Sequence, residues 1–174
     1  YALEVAEGTA SFELEPPDLA EIERRHAAVL AAGSVWLVAE LDGGIGGYAY
    51  AGPYRPRPAY RHTLENSVYV ARGARGHGLG RLLLERLVLE TAARGFREMV
   101  AVIGDSANAA SIGLHAACGF RHVGTLENVG FKFGRWLDLA VVTKRKPDRK
   151  WLEKGIASLG AKRRPPRRPE TRST

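Results

Sequence analysis

Three glycines in five residues, Gly76, Gly78 and Gly80, separate a β-rich run from an amphipathic helix, and no other stretch narrows the fold as much. The run before them is Ser67-Val68-Tyr69-Val70. The run after them, Arg81 to Glu90, sets Leu79, Leu83 and Leu87 on one face. A strand feeding a glycine loop that opens a helix lets consecutive backbone N–H groups converge on an anion, since no Cβ obstructs it. The first amides of a helix have no intrahelical partner and carry the positive end of its dipole. With Arg72, Arg75 and Arg81 close by, a phosphate or pyrophosphate is the ligand to expect, against the alternative of a tight turn flanked by solvated arginines.

Taken in order, the chain begins Tyr1 to Gly8 in a stretch that reads as the end of a helix, so a preceding segment is expected. Asp18 is placed to cap a helix over 19–32, with Leu19, Ile22, His26, Val29 and Leu30 near one face. Residues 34–40 predict a strand, Asp42-Gly43-Gly44 a hairpin turn, and 45–51 its return. Gly46 and Gly47 suggest a bulge or a close neighbour there. Residues 52–58, with three prolines, predict a loop. The next strand, 63–70, puts Glu65, Ser67 and Tyr69 on one face and Asn66, Val68 and Val70 on the other. The glycine-loop helix is expected to end near Arg94-Gly95. Met99 to Ile103 reads as a strand buried on both faces, followed by a short helix over 109–118 and by two antiparallel strands, 120–126 and 136–144, around a Gly130 to Gly134 connection.

At 174 residues the chain fits one domain able to bury about two thirds of its unfolded surface. The net charge of +7 belongs to one end: residues 144–174 carry +9, and residues 1–143 carry −2. The expected division is therefore a near-neutral body over 1–143 and a basic, Pro-rich tail over 144–174 with a short helix and an otherwise disordered course. One cysteine, Cys118, excludes an internal disulfide framework and reads as a small core residue. No metal-ligand spacing is present, so no metal is expected. Without an apolar run of the ~20 residues that span a bilayer, no membrane partner is expected, and a reducing cytoplasm is the default.

Three ligands use a glycine loop of this kind. A P-loop needs Gly-Lys-Ser/Thr, where this chain has Gly80-Arg81-Leu82. A dinucleotide fold has Asp105 in its favour, but the loop spells G-x-G-x-G rather than G-x-G-x-x-G. The third is the pyrophosphate of coenzyme A. Arg75-x-x-Gly78-x-Gly80 after a strand, then a helix, a buried strand, Asn108 and Leu114 to Phe120, resembles the GNAT superfamily of N-acetyltransferases. Trp36 to Glu40, Ala49 to Pro53, Ala59-Tyr60, Val68-Tyr69-Val70, Val100 to Gly104 and Gly130 to Trp136 resemble its phosphinothricin / methionine sulfoximine acetyltransferase group, over about residues 8 to 143.

The resemblance implies a mixed α/β fold with a mostly antiparallel central sheet splayed at the acetyl-CoA site, with the family's first strand absent. It implies acetyl-CoA as cosubstrate, held by Val68, Tyr69, Val70, Arg75, Gly76, His77, Gly78, Leu79, Gly80, Arg81 and Asn108. A backbone N–H near Val68 or Tyr69 would meet the thioester carbonyl. Glu65 would be the general base for the amine, and His115 the proton donor to the departing thiolate. Tyr54, Arg57 and Tyr60, with Arg55 beside them, would receive an amino acid analogue with an anionic head; Phe12 and Lys132 are further candidates. A homodimer is expected. The alternatives are acetylation of a protein N-terminus or lysine, or a nucleic-acid or ribosome-associated module that works through its tail, whose charge would give salt-sensitive, sequence-blind binding.

Overall fold

The computed structural model describes residues 1–41 and 43–146; the expected tail helix and disordered end, over 147–174, lie outside them. The elements in chain order are α1 (Ala2–Glu7), α2 (Leu19–Ala31), β1 (Trp36–Leu41), β2 (Gly44–Pro53), β3 (Thr63–Val70), α3 (Leu79–Ala93), β4 (Glu98–Gly104), α4 (Ala109–Ala117), β5 (Arg121–Lys132) and β6 (Arg135–Arg145). The strands form one six-stranded sheet in the order β1-β2-β3-β4-β6-β5. Every neighbouring pair is antiparallel except β3–β4. That mixed, mostly antiparallel α/β sheet is the architecture expected, and β1 stands at its edge.

The β3–β4 pair positions everything else. The parallel ladder covers only Thr63↔Glu98, Leu64↔Met99 and Glu65↔Val100, while β3 goes on to Val70 and β4 to Gly104. Beyond Glu65 the two strands part, and β3 remains paired only to β2. The central sheet is thus splayed between the Val68 and Val100 strands, as the resemblance implied. The core lies on one face, where Ala49, Ala51, Leu64, Met99 and Ala101 pack against Leu83, Leu84 and Leu87 of α3. The other face carries an aromatic row in which Trp36 stacks on Tyr50 at 4.2 Å and Tyr48 meets Tyr69 at 5.1 Å.

The glycines in β2 do both things they could. One extra residue, Gly46, interrupts the β1–β2 register between Ala39↔Gly47 and Glu40↔Ile45. A Cβ at Gly47 would also stand 2.7 Å from the Tyr69 carbonyl oxygen, so the strand can approach β3 only without a side chain.

Several boundaries differ from expectation. Strand β2 runs on to Pro53, which pairs with Leu64 at the strand end, where its missing N–H costs nothing. The connection expected over Gly130 to Gly134 is mostly strand: Phe131 pairs with Trp136, and the turn is Phe133-Gly134, with φ of 51° and 73°. Two successive positive φ values fit the two-residue hairpin turn whose twist suits its strands. Strand β6 continues to Arg145, one residue past the expected end. On α2, Asp18 caps the Glu21 N–H at 2.8 Å, as expected, but of the expected apolar face only Val29 is buried, and Leu19, His26 and Leu30 stay exposed. His26 instead sets its ring edge-on to Trp36.

Candidate active site

The glycine loop enters α3 with Gly76 and Gly78 at φ of 81° and 76°. Gly78 is the N-cap, and because it has no side chain, nothing caps the amides that follow. The first intrahelical bond runs from Leu82 N–H to the Gly78 carbonyl at 3.0 Å, which leaves the amides of Leu79, Gly80 and Arg81 pointing out of the helix end. A Cβ at Gly76 or Gly78 would meet nothing within 4 Å, so the space over these amides is open. Those features fit a bound pyrophosphate.

The arginines contribute less than the sequence suggested. Arg72 pairs with Glu7 at 2.5 Å, Arg75 with Glu4 at 2.6 Å and Arg81 with Glu85 at 2.8 Å. Exposed pairs of this kind are worth little and are screened by salt. Arg72 and Arg75 thus tie α1 to the loop, while the open amides of Leu79, Gly80 and Arg81 are the groups aimed out of the helix end. His77 folds back, its Nδ1 3.0 Å from the Arg75 carbonyl.

Where β3 and β4 part they leave a cavity of about 70 Å³, lined by Asn66 to Tyr69 of β3, Ala101 to Ile103 of β4, and Asn108, Ser111 and His115 at α4, with Ala10 closing one side. The β4-facing edge of β3 past Glu65 has no partner strand, so Val68, Tyr69 and Val70 can offer backbone groups to an extended ligand. Asn108 caps α4, its Oδ1 accepting from Ser111 N–H at 3.1 Å, which leaves its NH₂ for the cleft.

The two expected proton-transfer groups take opposite faces. Glu65 is half-buried on the aromatic face with Ser67 and Tyr69. Burial pushes its carboxyl above the usual range, and the Arg55 charge partly counters this. His115 is 4% exposed and lies on the α3/α4 face, with Nε2 3.1 Å from Asn66 Oδ1 and Nδ1 2.8 Å from the Ser111 carbonyl. Burial pushes the imidazole down while the Ser111 carbonyl pulls it up. Of the two, His115 lines the cleft, whereas Glu65 is paired with Val100 at the last rung of the ladder, on the opposite face and just outside the residues that line the cavity.

The expected acceptor residues are only partly gathered. Tyr54 and Tyr60 meet edge to face at 5.6 Å, with the Arg55 guanidinium 4.7 Å over the Tyr54 ring. Arg57 and Tyr60, with Arg55, Arg61 and Phe96, line a separate cavity of about 360 Å³ that shares no lining residue with the β3–β4 cleft. It is Arg55, rather than Arg57, whose charge reaches Glu65.

Sequence reasoning missed the strap over 8–13 that closes the aromatic side of the cleft. Lys132, 3% exposed, donates to the carbonyls of Gly8 at 2.9 Å and Ser11 at 2.8 Å, and Thr9 donates to Asp105 at 2.9 Å. Asp105, in a left-handed conformation at φ 66°, is held below the usual carboxylate range by the Ala107 N–H first, then by Thr9 and Arg135. Phe12 lies over Gly130 and Gly104, where a Cβ would stand 2.4 Å and 2.9 Å from its ring. Phe12 and Lys132 thus hold the strap down, and burial lowers the Lys132 ammonium from its ordinary range. Asn66 was missed as well, although its signal was present: a lone carboxamide on a strand face otherwise given to Val68 and Val70. Cys118 is a buried free thiol in the core, as read.

Residues 2–120 match the model of the acetyltransferase (GNAT) family. Phosphinothricin N-acetyltransferase of Alcaligenes faecalis is 56% identical over 142 residues, which cover 82% of this chain and 72% of that protein. An L-methionine sulfoximine/L-methionine sulfone acetyltransferase of Pseudomonas paraeruginosa is 46% identical over 136 residues, 78% of each chain. Among solved structures, a phosphinothricin acetyltransferase from Sinorhizobium meliloti in complex with AcCoA superposes with a TM-score of 0.81 at 42% identity, covering 84% of this chain and 79% of that one.

Proposed function

The chain belongs to the GNAT acetyltransferase family, and from that premise we propose that it transfers an acetyl group from acetyl-CoA to the amine of a small amino acid analogue of the phosphinothricin / methionine sulfoximine type. The observation that carries the proposal is the split between β3 and β4, which is lined by His115, begins at the Glu65↔Val100 rung and leads along β3 to an uncapped glycine-loop helix. When bound, acetyl-CoA supplies an activated acyl carbonyl and a thiolate leaving group.

The residues divide the work as follows. The amides of Gly76 to Arg81 hold the pyrophosphate, and those of Val68 to Val70 pair with the arm and polarise the carbonyl oxygen. Asn108 adds a side-chain donor. Glu65 takes the proton the amine must lose, because only the free base attacks. His115 returns a proton to the departing sulfur. Tyr54, Arg57 and Tyr60, with Arg55, bind the acceptor's anionic head; the nearness of Arg55 to Glu65 supports that loop as the acceptor's edge. The test is thiol release from acetyl-CoA with phosphinothricin, methionine sulfoximine, free amino acids and peptides offered in parallel. Turnover confined to the two analogues and their amino acid kin bears the reading out, and turnover confined to peptides overturns it.

The enzyme acts as a homodimer in this proposal. Six large apolar side chains of the β5–β6 hairpin are half or more exposed: Val123, Leu126, Val129, Phe131, Phe133 and Trp136. Of these, Phe131 and Trp136 pair across the hairpin with rings 5.2 Å apart, and an exposed aromatic pair of this kind suits a contact surface. Sedimentation at twice the chain mass, reverting to single mass in Phe131→Glu, is the expected result. The proposal also places the enzyme in the reducing cytoplasm, which the single buried thiol supports and cell fractionation checks. No helix among the described residues is long and apolar enough to cross a membrane.

A further inference from the structure

Asn66 is 6% exposed and occupies the point where the sheet divides. Its Nδ2 donates to the Val100 carbonyl at 3.0 Å, beside the last residue pair of the β3–β4 ladder, and its Oδ1 meets His115 Nε2 at 3.1 Å. The carboxamide is not free to turn over. Reversed, it would set Oδ1 against the Val100 carbonyl, opposing two acceptors and stripping that carbonyl of its donor. The oxygen is therefore held toward the ring.

The other ring nitrogen, Nδ1, is 2.8 Å from the Ser111 carbonyl, so both nitrogens of His115 face acceptors. A neutral imidazole has one N–H and satisfies one of the two; a ring with both protons satisfies both. Burial acts in the opposite direction, and no charged side chain of β3, β4, α3 or β5 figures among the influences on the ring. Phe120 covers it edge-on at 5.0 Å. The helix carbonyl is fixed by the backbone, so of the ring's two acceptors the Asn66 oxygen is the one a side chain supplies.

We propose that Asn66 is a positioning residue for acetyl transfer: locked by the Val100 carbonyl, it keeps His115 oriented and able to carry a second proton beside the cleft. The inference rests on the proposed role of His115 as donor to the thiolate. In the step, the amine nitrogen bonds to the acetyl carbon and its proton passes to Glu65. The carbon–sulfur bond breaks with its electron pair left on sulfur, the Nε2–H of His115 leaves Asn66 Oδ1 to neutralise that sulfur, and exchange with solvent then takes the proton from Glu65 and returns one to the ring.

Two substitutions separate this role from a structural one. Asn66→Asp keeps an oxygen toward Nε2 and adds charge, whereas Asn66→Leu keeps the bulk and removes the oxygen; both lose the donor to Val100. A ¹⁵N NMR titration of His115, with no substrate present, should show the midpoint raised by about one pH unit or more in Asn66→Asp and lowered by about one in Asn66→Leu. In the acetyl-transfer assay, kcat of Asn66→Leu at pH 7 should fall by about tenfold with KM for acetyl-CoA little changed. Should Asn66→Leu not fold, Asn66→Ala removes the same oxygen, and the rise in Asn66→Asp stands as a test alone. Midpoints that move in the same direction or not at all, or an unchanged kcat, overturn the proposal. Absence of transfer by the parent enzyme to every amine offered would instead overturn the function proposed above, and it would leave the His115 titration readable.

Discussion

Glu65→Gln is expected to lower kcat for acetyl transfer by about 10²–10⁴-fold, the range over which a positioned general base contributes. The substitution keeps the shape of a half-buried side chain on a strand held from both sides, by Gly52 of β2 and Val100 of β4. The sheet should therefore be undisturbed, and KM for acetyl-CoA should stay near its original value. Burial raises the Glu65 carboxyl above its ordinary range, with Arg55 opposing. A raised pKa means the base form is lost sooner as pH falls, so the acid limb of the parent's rate profile should lie above the range of a free glutamate and vanish in the variant. The deficit should narrow as pH rises past ~8, where an α-amine arrives already deprotonated. Full kcat in Glu65→Gln at neutral pH would make the carboxylate structural.

Gly78→Val should abolish measurable acetyl-CoA binding in a calorimetric titration. Gly78 stands at φ +76°, and the room above it is the room a pyrophosphate needs. A β-branched residue there both fills that space and strains the backbone, by about 1–3 kcal/mol. Strain alone could be mistaken for a binding defect, so Gly33→Val is the control. Gly33 has φ +73°, is equally open, and follows α2 away from the loop, so its variant should lose similar stability and still bind. If both bind as the parent does, the loop is not the site.

What could be read from the chain was what neighbours in sequence determine. The bounds of β3 and the Gly78 entry into α3 depend on alternation and on glycine φ, and both were legible. Asn66 meeting His115, Thr9 meeting Asp105 and Lys132 meeting Ser11 join residues 49, 96 and 121 positions apart, which no local pattern encodes. The glutamate partners of Arg72 and Arg75 lie 65 and 71 positions away, so the loop looked more cationic in sequence than it is in the fold. The Phe133-Gly134 turn was missed because a phenylalanine at positive φ is uncommon, and flanking glycines drew the turn outward. The acceptor loop stayed ambiguous for another reason: Arg55 and Arg57 are equivalent in composition, and only the course of the chain separates them.

The short β3–β4 ladder also bears on stability. A sheet divided after three residue pairs forgoes the ladder bonds that the rest of β3 and β4 would have made, and β3 keeps an open edge inside the molecule. Whatever pairs with that edge is thermodynamically a strand the polypeptide does not supply. Because it binds the folded chain and not the unfolded one, cosubstrate at a hundred times its Kd adds about 2.7 kcal/mol to folding. The gap in the sheet is thus a reserve of stability that a bound ligand draws on.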